Sequence, residues 1–156
     1  TVLDIEGQQV VVYNVHRTHP GMSDGFYNPR ARRREIEDVL SRIAQESLPV
    51  VMIGDFNMSD LNEEYGIITA MLTDTYRETA NGMGFTFPDL SSASVQESTR
   101  IAPDFLPEHP PIPPLLRLDY AFHSEGITGV QAIVWHSAHG SDHRPLFVDF
   151  VLDEVD

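Results

Sequence analysis

The chain contains no cysteine. Disulfides, thiolate-held zinc and a cysteine nucleophile are therefore excluded; the compartment stays open, because many extracytoplasmic proteins also lack cysteine. Long apolar runs are missing too. Stretches such as Val10-Val11-Val12-Tyr13 and Val50-Val51-Met52-Ile53 fall well short of the roughly 18 residues of a membrane span. No secretory signal pattern opens the chain, so it reads as a soluble segment of unknown localisation. There is no initiator methionine, and residue 1 is expected not to be the natural start.

Positive charge is scarce. Ten basic residues stand against 24 acidic ones, a net charge of −14. A protein that grips duplex DNA usually carries a basic face, because phosphate neutralisation supplies most of the affinity. Here five of the ten basic residues crowd between Arg17 and Arg34, and the remaining surface should repel a long polyanion. This balance disfavours a processive nuclease. It leaves room for a small phosphate ester brought in by metal ions. Phosphate-binding Gly-x-x-x-x-Gly-Lys-Ser/Thr loops, dinucleotide Gly-x-Gly-x-x-Gly turns and His-Glu-x-x-His are absent, as is the Gly-x-Ser-x-Gly elbow.

What is present is enough for one domain: 156 residues, 41% of them hydrophobic, which suffices for a core. Residues 1–5 and 8–16 read as strands joined at Glu6-Gly7, a hairpin pattern. Asn28-Pro29 opens a helix, with Asn as cap and Pro at the first helical position. Ile36, Val39, Leu40 and Ile43 repeat at helical spacing, with charges opposite. Residues 50–53 form a short apolar run of the kind buried on both faces of a sheet. Asp60-Leu61-Asn62-Glu63 resembles a capping box ahead of a helix running to about residue 72. Residues 88–117 hold seven of the eleven prolines and read as a long irregular loop. Residues 118–123, 130–135 and 146–152 read as strands. Neither an internal repeat nor a domain-splitting linker is visible.

Four short segments could carry chemistry. Gly54-Asp55-Phe56-Asn57 follows a buried strand, at the carboxyl end where open α/β sheets place their sites. Its Asp can ligate a hard cation or accept a proton from water; its Asn can donate to a phosphate oxygen or an attacking water. The alternative is a turn whose Asp and Asn bond their own backbone. Ser141-Asp142-His143-Arg144-Pro145 offers a metal-binding oxygen beside an imidazole, or is a polar surface loop. Arg117-Leu118-Asp119-Tyr120 sets an acid in an apolar strand, which is costly unless the acid is paired. An imidazole such as His143 would serve, and the alternative is an edge strand facing solvent. Asn14 and His16 share one side of their strand, or simply form its polar end. His19, His109, His123, His136 and His139 have no comparable placement. The arginines at 30–34 read as a solvated helix face rather than a phosphate patch.

Taken in order, Asn14-x-His16, Gly54-Asp55-Phe56-Asn57, Arg117-Leu118-Asp119-Tyr120 and Ser141-Asp142-His143-Arg144-Pro145 resemble the endonuclease/exonuclease/phosphatase superfamily, the group containing deoxyribonuclease I, abasic-site endonucleases, sphingomyelinases and inositol-polyphosphate phosphatases. Thr86-Phe87-Pro88 before a Pro-rich loop also looks like many bacterial members. The resemblance covers nearly the whole chain. It implies an α/β fold, the C-terminal part of a four-layer α/β sandwich. Residues 1–156 would form a single partial domain, with the N-terminal sheet missing or supplied by another chain.

The resemblance also implies a divalent-metal-dependent phosphoesterase acting on a phosphomono- or phosphodiester. Asp55 would position or deprotonate water and help hold metal. Asn57 would bond that water or the phosphate, and His143 would contact the phosphoryl group. Asp119 would orient His143, Asp142 would bind metal, and His16 would be a second phosphate-facing histidine. The metal would be Mg²⁺ or Mn²⁺, acting as a Lewis acid. The family's upstream Asn and metal-binding Glu have no counterpart before Asn14. Weak or absent activity is therefore expected, together with an exposed apolar sheet face that favours self-association or pairing with the missing half. A small or lipid-like phosphate ester is favoured over nucleic acid, with Phe105, Ile112, Leu115 and Leu116 as candidate flanking groups. The competing readings are a non-catalytic remnant of the fold and an endonuclease acting on DNA.

Overall fold

The computed structural model describes residues 1–19, 22–23, 26–89 and 113–153. Strands β1 (Val2–Ile5) and β2 (Gln8–His16) form the expected hairpin, turning through Glu6 and Gly7, both at positive φ. Two-residue strands β3 (Met22–Ser23) and β4 (Phe26–Tyr27) pair with each other and lead to helix α1 (Arg30–Ile43). Then come β5 (Val50–Asp55), α2 (Glu63–Thr69), β6 (Thr73–Asp74), α3 (Thr75–Thr79), β7 (Asp119–His123), β8 (Ile127–Val134) and β9 (Leu146–Leu152). Five strands make one mixed sheet in the order β1-β2-β5-β7-β6, with β2 and β5 parallel. The parallel pair needs a crossover, and α1 supplies it.

Each face of this sheet buries a different set of side chains, as the two-residue period requires. Val11, Val15, Val50, Met52, Tyr120 and Phe122 point to the face covered by α1 and α2. There they meet the α1 stripe of Ile36, Val39, Leu40 and Ile43 and, from α2, Ile68. Each such side chain removed from water contributes about 1.5–3 kcal/mol. Phe56 is wedged edge-on against Phe122 at 5.3 Å and Tyr120 at 5.7 Å between ring centres. The opposite face carries Val10, Val12, Val51 and Ile53, and the β8–β9 ribbon packs on it through Ile127, Phe150 and Leu152. The result is helix, sheet and second sheet. That is the partial α/β sandwich expected, with the second sheet represented by β8 and β9 alone among the described residues. The outward face of the ribbon leaves Ile133, Trp135, Phe147 and Val151 exposed. No described helix is long and apolar enough to cross a membrane.

Several expectations need correction. Helix α1 begins at Arg30, with Pro29 in the cap position; Asn28 sits one residue outside and accepts from the Arg30 N–H at 3.2 Å. The arginine run is not uniformly solvated, because Arg32 is buried and paired with buried Glu64 at 2.9 Å. The capping box at Asp60 does not form. Helix α2 starts at Glu63, and the Asp60 carboxylate pairs with Arg77 instead. Elements β6 and α3 were not expected. Asp74 makes α3 possible by accepting from the Tyr76 and Arg77 N–H groups, an N-cap, while its carboxylate also meets buried Arg117 at 2.7 Å. Strand β8 starts three residues earlier than expected and carries an irregularity between Gly129 and Gln131. The expected loop at residues 88–117, with Phe105, His109 and Ile112, lies mostly outside the described residues.

Gly54 explains how β2 and β5 come close enough to align their ends. It sits at φ +135°, and a Cβ there would lie 1.9 Å from the Val15 carbonyl oxygen. Gly54→Ala is therefore expected to destabilise the fold by several kcal/mol, among the largest effects of any single substitution. Urea unfolding would register it as a lowered midpoint, and an unchanged midpoint would contradict the close approach.

Candidate active site

Strand pairing assembles the site. His16 is the register partner of Asp55 across β2–β5, and Asp55 is the partner of Asp119 across β5–β7. Three polar side chains thus form a row on the sheet face that the β8–β9 ribbon covers, and the loop joining β8 to β9 brings His143 to the same place. Ligand atoms of Asp55, Asp119 and His143 all lie within 4.8 Å of one another. The His143 Nδ1 meets Asp119 Oδ2 at 2.7 Å, so Nδ1 donates and Nε2 is the ring atom that can meet a ligand. The half-buried Asp119 carboxylate is thus paired with an imidazole. His16 is mostly exposed, with Nε2 3.6 Å from Asp55 Oδ2.

Asn57 adopts φ 49°, and its conformation is fixed from several sides. Its N–H donates to Asp55 Oδ1 at 2.8 Å, and its side-chain amide donates to the Arg17 carbonyl at 2.9 Å and to Asp55 Oδ2 at 3.2 Å. Its own carbonyl accepts from buried Arg32. Sequence reasoning missed Arg32, since nothing in a run of arginines marks which one turns inward. The Asp142 carboxylate is not part of the three-residue cluster; its backbone carbonyl accepts from the Asp89 N–H at 2.7 Å. Of the histidines without a special placement, His123 is buried against Glu78 at 2.9 Å, while His19, His136 and His139 are exposed.

The electrostatics follow from this crowding. Burial pushes the Asp55 carboxyl above its ordinary value; the Asn57 N–H works against that and the Asp119 charge adds to it. Burial alone would lower His143, but the Asp119 hydrogen bond and the charges of Asp119, Asp55 and Asp142 outweigh it, and the imidazole is raised above 6.5. Two carboxylates facing each other with spare lone pairs are a fit donor set for a hard cation. They supply only part of the six or so oxygens such an ion takes, so water or substrate would complete the shell.

The family model for the Endonuclease/Exonuclease/phosphatase family matches residues 1–143. A search of curated proteins finds no match. Among solved structures, a mannosyl-6-phosphatase from Bacteroides thetaiotaomicron aligns with 94% of this chain and 53% of its own, at 20% identity and a TM-score of 0.63. A family protein from Bacteroides vulgatus aligns over 95% and 51%, at 22% identity and 0.65. A Neisseria 3′ phosphatase, NExo, bound to product DNA hairpin aligns over 96% and 63%, at 18% and 0.64. These likenesses establish the fold. The chain spans about half the length of most of these structures.

Because His143 is raised by contacts made only on folding, its contribution to stability is complete below 6.5 and is lost as pH rises through the raised value. The gap in urea midpoint between the parent chain and His143→Gln should therefore shrink toward alkaline pH. A gap that widens would contradict the sign.

Proposed function

Because the chain belongs to the endonuclease/exonuclease/phosphatase family, we propose that it carries the water- and phosphate-handling part of a divalent-metal-dependent phosphoesterase. The observation that carries this reading is the convergence of Asp55, Asp119 and His143 within 4.8 Å. Asp55, with its raised pKa, is suited to accept a proton from the attacking water. His143 Nε2 faces the phosphoryl oxygens, with Asp119 holding the tautomer. Asn57 orients Asp55; donating to a phosphate oxygen would require it to release the Arg17 carbonyl or Asp55. His16, exposed at the end of the row, meets a second phosphate oxygen. Asp55, with the facing Asp119, would hold Mg²⁺ or Mn²⁺, which supplies Lewis-acid polarisation of the phosphate when bound; Asp142, expected as a ligand, stands outside that cluster and would join only as an additional one.

The substrate favoured is a small or lipid-like phosphate ester. Six described arginines are held in ion pairs by acids: Arg32, Arg33, Arg42, Arg77, Arg117 and Arg144. With 24 acidic residues against 10 basic ones, and with Arg32 and Arg117 buried in their pairs, the chain offers a poor surface for tracking a polyanion. A second reading, a non-catalytic remnant of the fold, draws on a different observation: only two carboxylates belong to the cluster among the described residues.

Millimolar Mg²⁺ or Mn²⁺ is expected to raise the melting temperature, and Asp55→Ala combined with Asp142→Ala to abolish the shift. A parent chain that shows no shift favours the remnant reading. With so few metal oxygens, the chain alone should cleave bis(p-nitrophenyl) phosphate weakly or not at all, and robust metal-dependent turnover would overturn that expectation. The exposed ribbon face is proposed to be an association surface, occupied by a second copy when the chain is alone. Light scattering should show an oligomer that Phe147→Lys with Trp135→Glu converts to monomer.

A further inference from the structure

The segment Thr86-Phe87-Pro88-Asp89 lies outside the reactive cluster, yet it touches both halves of the histidine–carboxylate pair. The Thr86 hydroxyl is fully buried and accepts from two successive backbone N–H groups, Leu118 at 3.2 Å and Asp119 at 3.3 Å. Its own N–H donates to the Leu116 carbonyl at 2.8 Å. One side of Thr86 is therefore stitched to the strand that presents Asp119. The other side is stitched to the loop that presents His143. The Thr86 carbonyl accepts from the Arg144 N–H at 2.8 Å, and the Asp89 N–H donates to the Asp142 carbonyl at 2.7 Å. The buried Asp89 carboxylate accepts from Arg144 Nε at 3.1 Å. Between these two anchors the Phe87 ring lies on the His143 imidazole, with ring centres 4.8 Å apart.

The positions 118–119 and 142–144 are far apart in sequence, and no described ladder joins β7 to the loop after β8. A 2.7 Å contact between Asp119 and His143 needs something to hold the two backbones in register, since catalytic groups must be kept within about 0.5 Å of their working geometry. We propose that Thr86 to Asp89 is a positioning splint for the Asp119–His143 pair, with the Thr86 hydroxyl as its central residue and the Asp89–Arg144 ion pair as its second anchor. The splint orients the imidazole through backbone and ring contacts. Its catalytic value rests on the phosphoesterase reading; the geometry does not.

The test uses the whole chain and a spectroscopic readout at one fixed pH. A hydrogen bond from His143 Nδ1 to Asp119 gives a downfield imidazole proton resonance in NMR. Thr86→Val keeps the shape but leaves the two N–H groups without their acceptor, and should abolish or broaden that resonance. Thr86→Ser, which restores the hydroxyl, should retain it. Leu72→Ala, a core change on the helix-covered face, should lower the melting temperature while leaving the resonance in place. The proposal is overturned if Thr86→Val retains the parent resonance, if Thr86→Ser loses it as fully as Thr86→Val, or if the parent chain lacks it. Should Thr86→Val fail to fold, Arg144→Met and Phe87→Leu read the loop side, and retention of the resonance in both would sink the idea. Absence of phosphoesterase turnover would leave this readout unmoved, so the two failures can be told apart.

Discussion

Like charges placed directly opposite each other across a strand pair destabilise it, and Asp55 and Asp119 stand in that relation at the end of β5 and the start of β7. Much else around the site answers this juxtaposition. His143 closes on Asp119, His16 approaches Asp55 from the neighbouring strand, and the Asn57 N–H and amide cap both Asp55 oxygens. None of these carries a permanent positive charge. The repulsion is relieved by hydrogen bonds and by a histidine that readily takes a proton, which leaves a local excess of negative potential that a divalent cation would neutralise.

The scaffold that enforces this juxtaposition is the opposite face of the same strands. Val50 and Met52 alternate with Val51 and Ile53 along β5, and Tyr120 and Phe122 with Asp119 and Ala121 along β7. The helix-covered side is apolar and closely packed, so the register is firmly specified. A one-residue slip would bury the acids among Phe56 and Phe122. Phe56 belongs to the Gly54–Asn57 turn, so the residue next to Asp55 is itself a core residue. Beyond it, Arg32 reaches from α1 to the Asn57 carbonyl, with Glu64 of α2 balancing its charge. Helix packing and site geometry are thereby the same set of contacts.

The hairpin and the apolar stripe of α1 were legible from their patterns, and β5 from its short apolar run, because burial writes itself into the sequence; the two-residue strands β3, β4 and β6 are too short to leave such a pattern. The Asp119–His143 pair was legible because a lone acid in an apolar strand demands a partner. Boundaries were less so: the cap of α1 shifted by one residue and α2 began past its apparent capping box, since Asp60 found a better partner in Arg77. Short α3 was hidden because its cap, Asp74, looks like any loop acid until Arg117 and Tyr65 are seen to gather on it. Arg32 was misread because an inward arginine depends on a glutamate 32 positions away, a relation no local window contains.

Where the chain keeps its positive charge also bears on its chemistry. An arginine paired with an acid within the fold costs less to bury than a bare one. Arg117 is the extreme case, with its guanidinium against Asp74 and over the Tyr120 ring at 4.5 Å. Arg32 and Arg117 thus serve the internal structure, one holding the Asn57 carbonyl and the other the Asp74 cap.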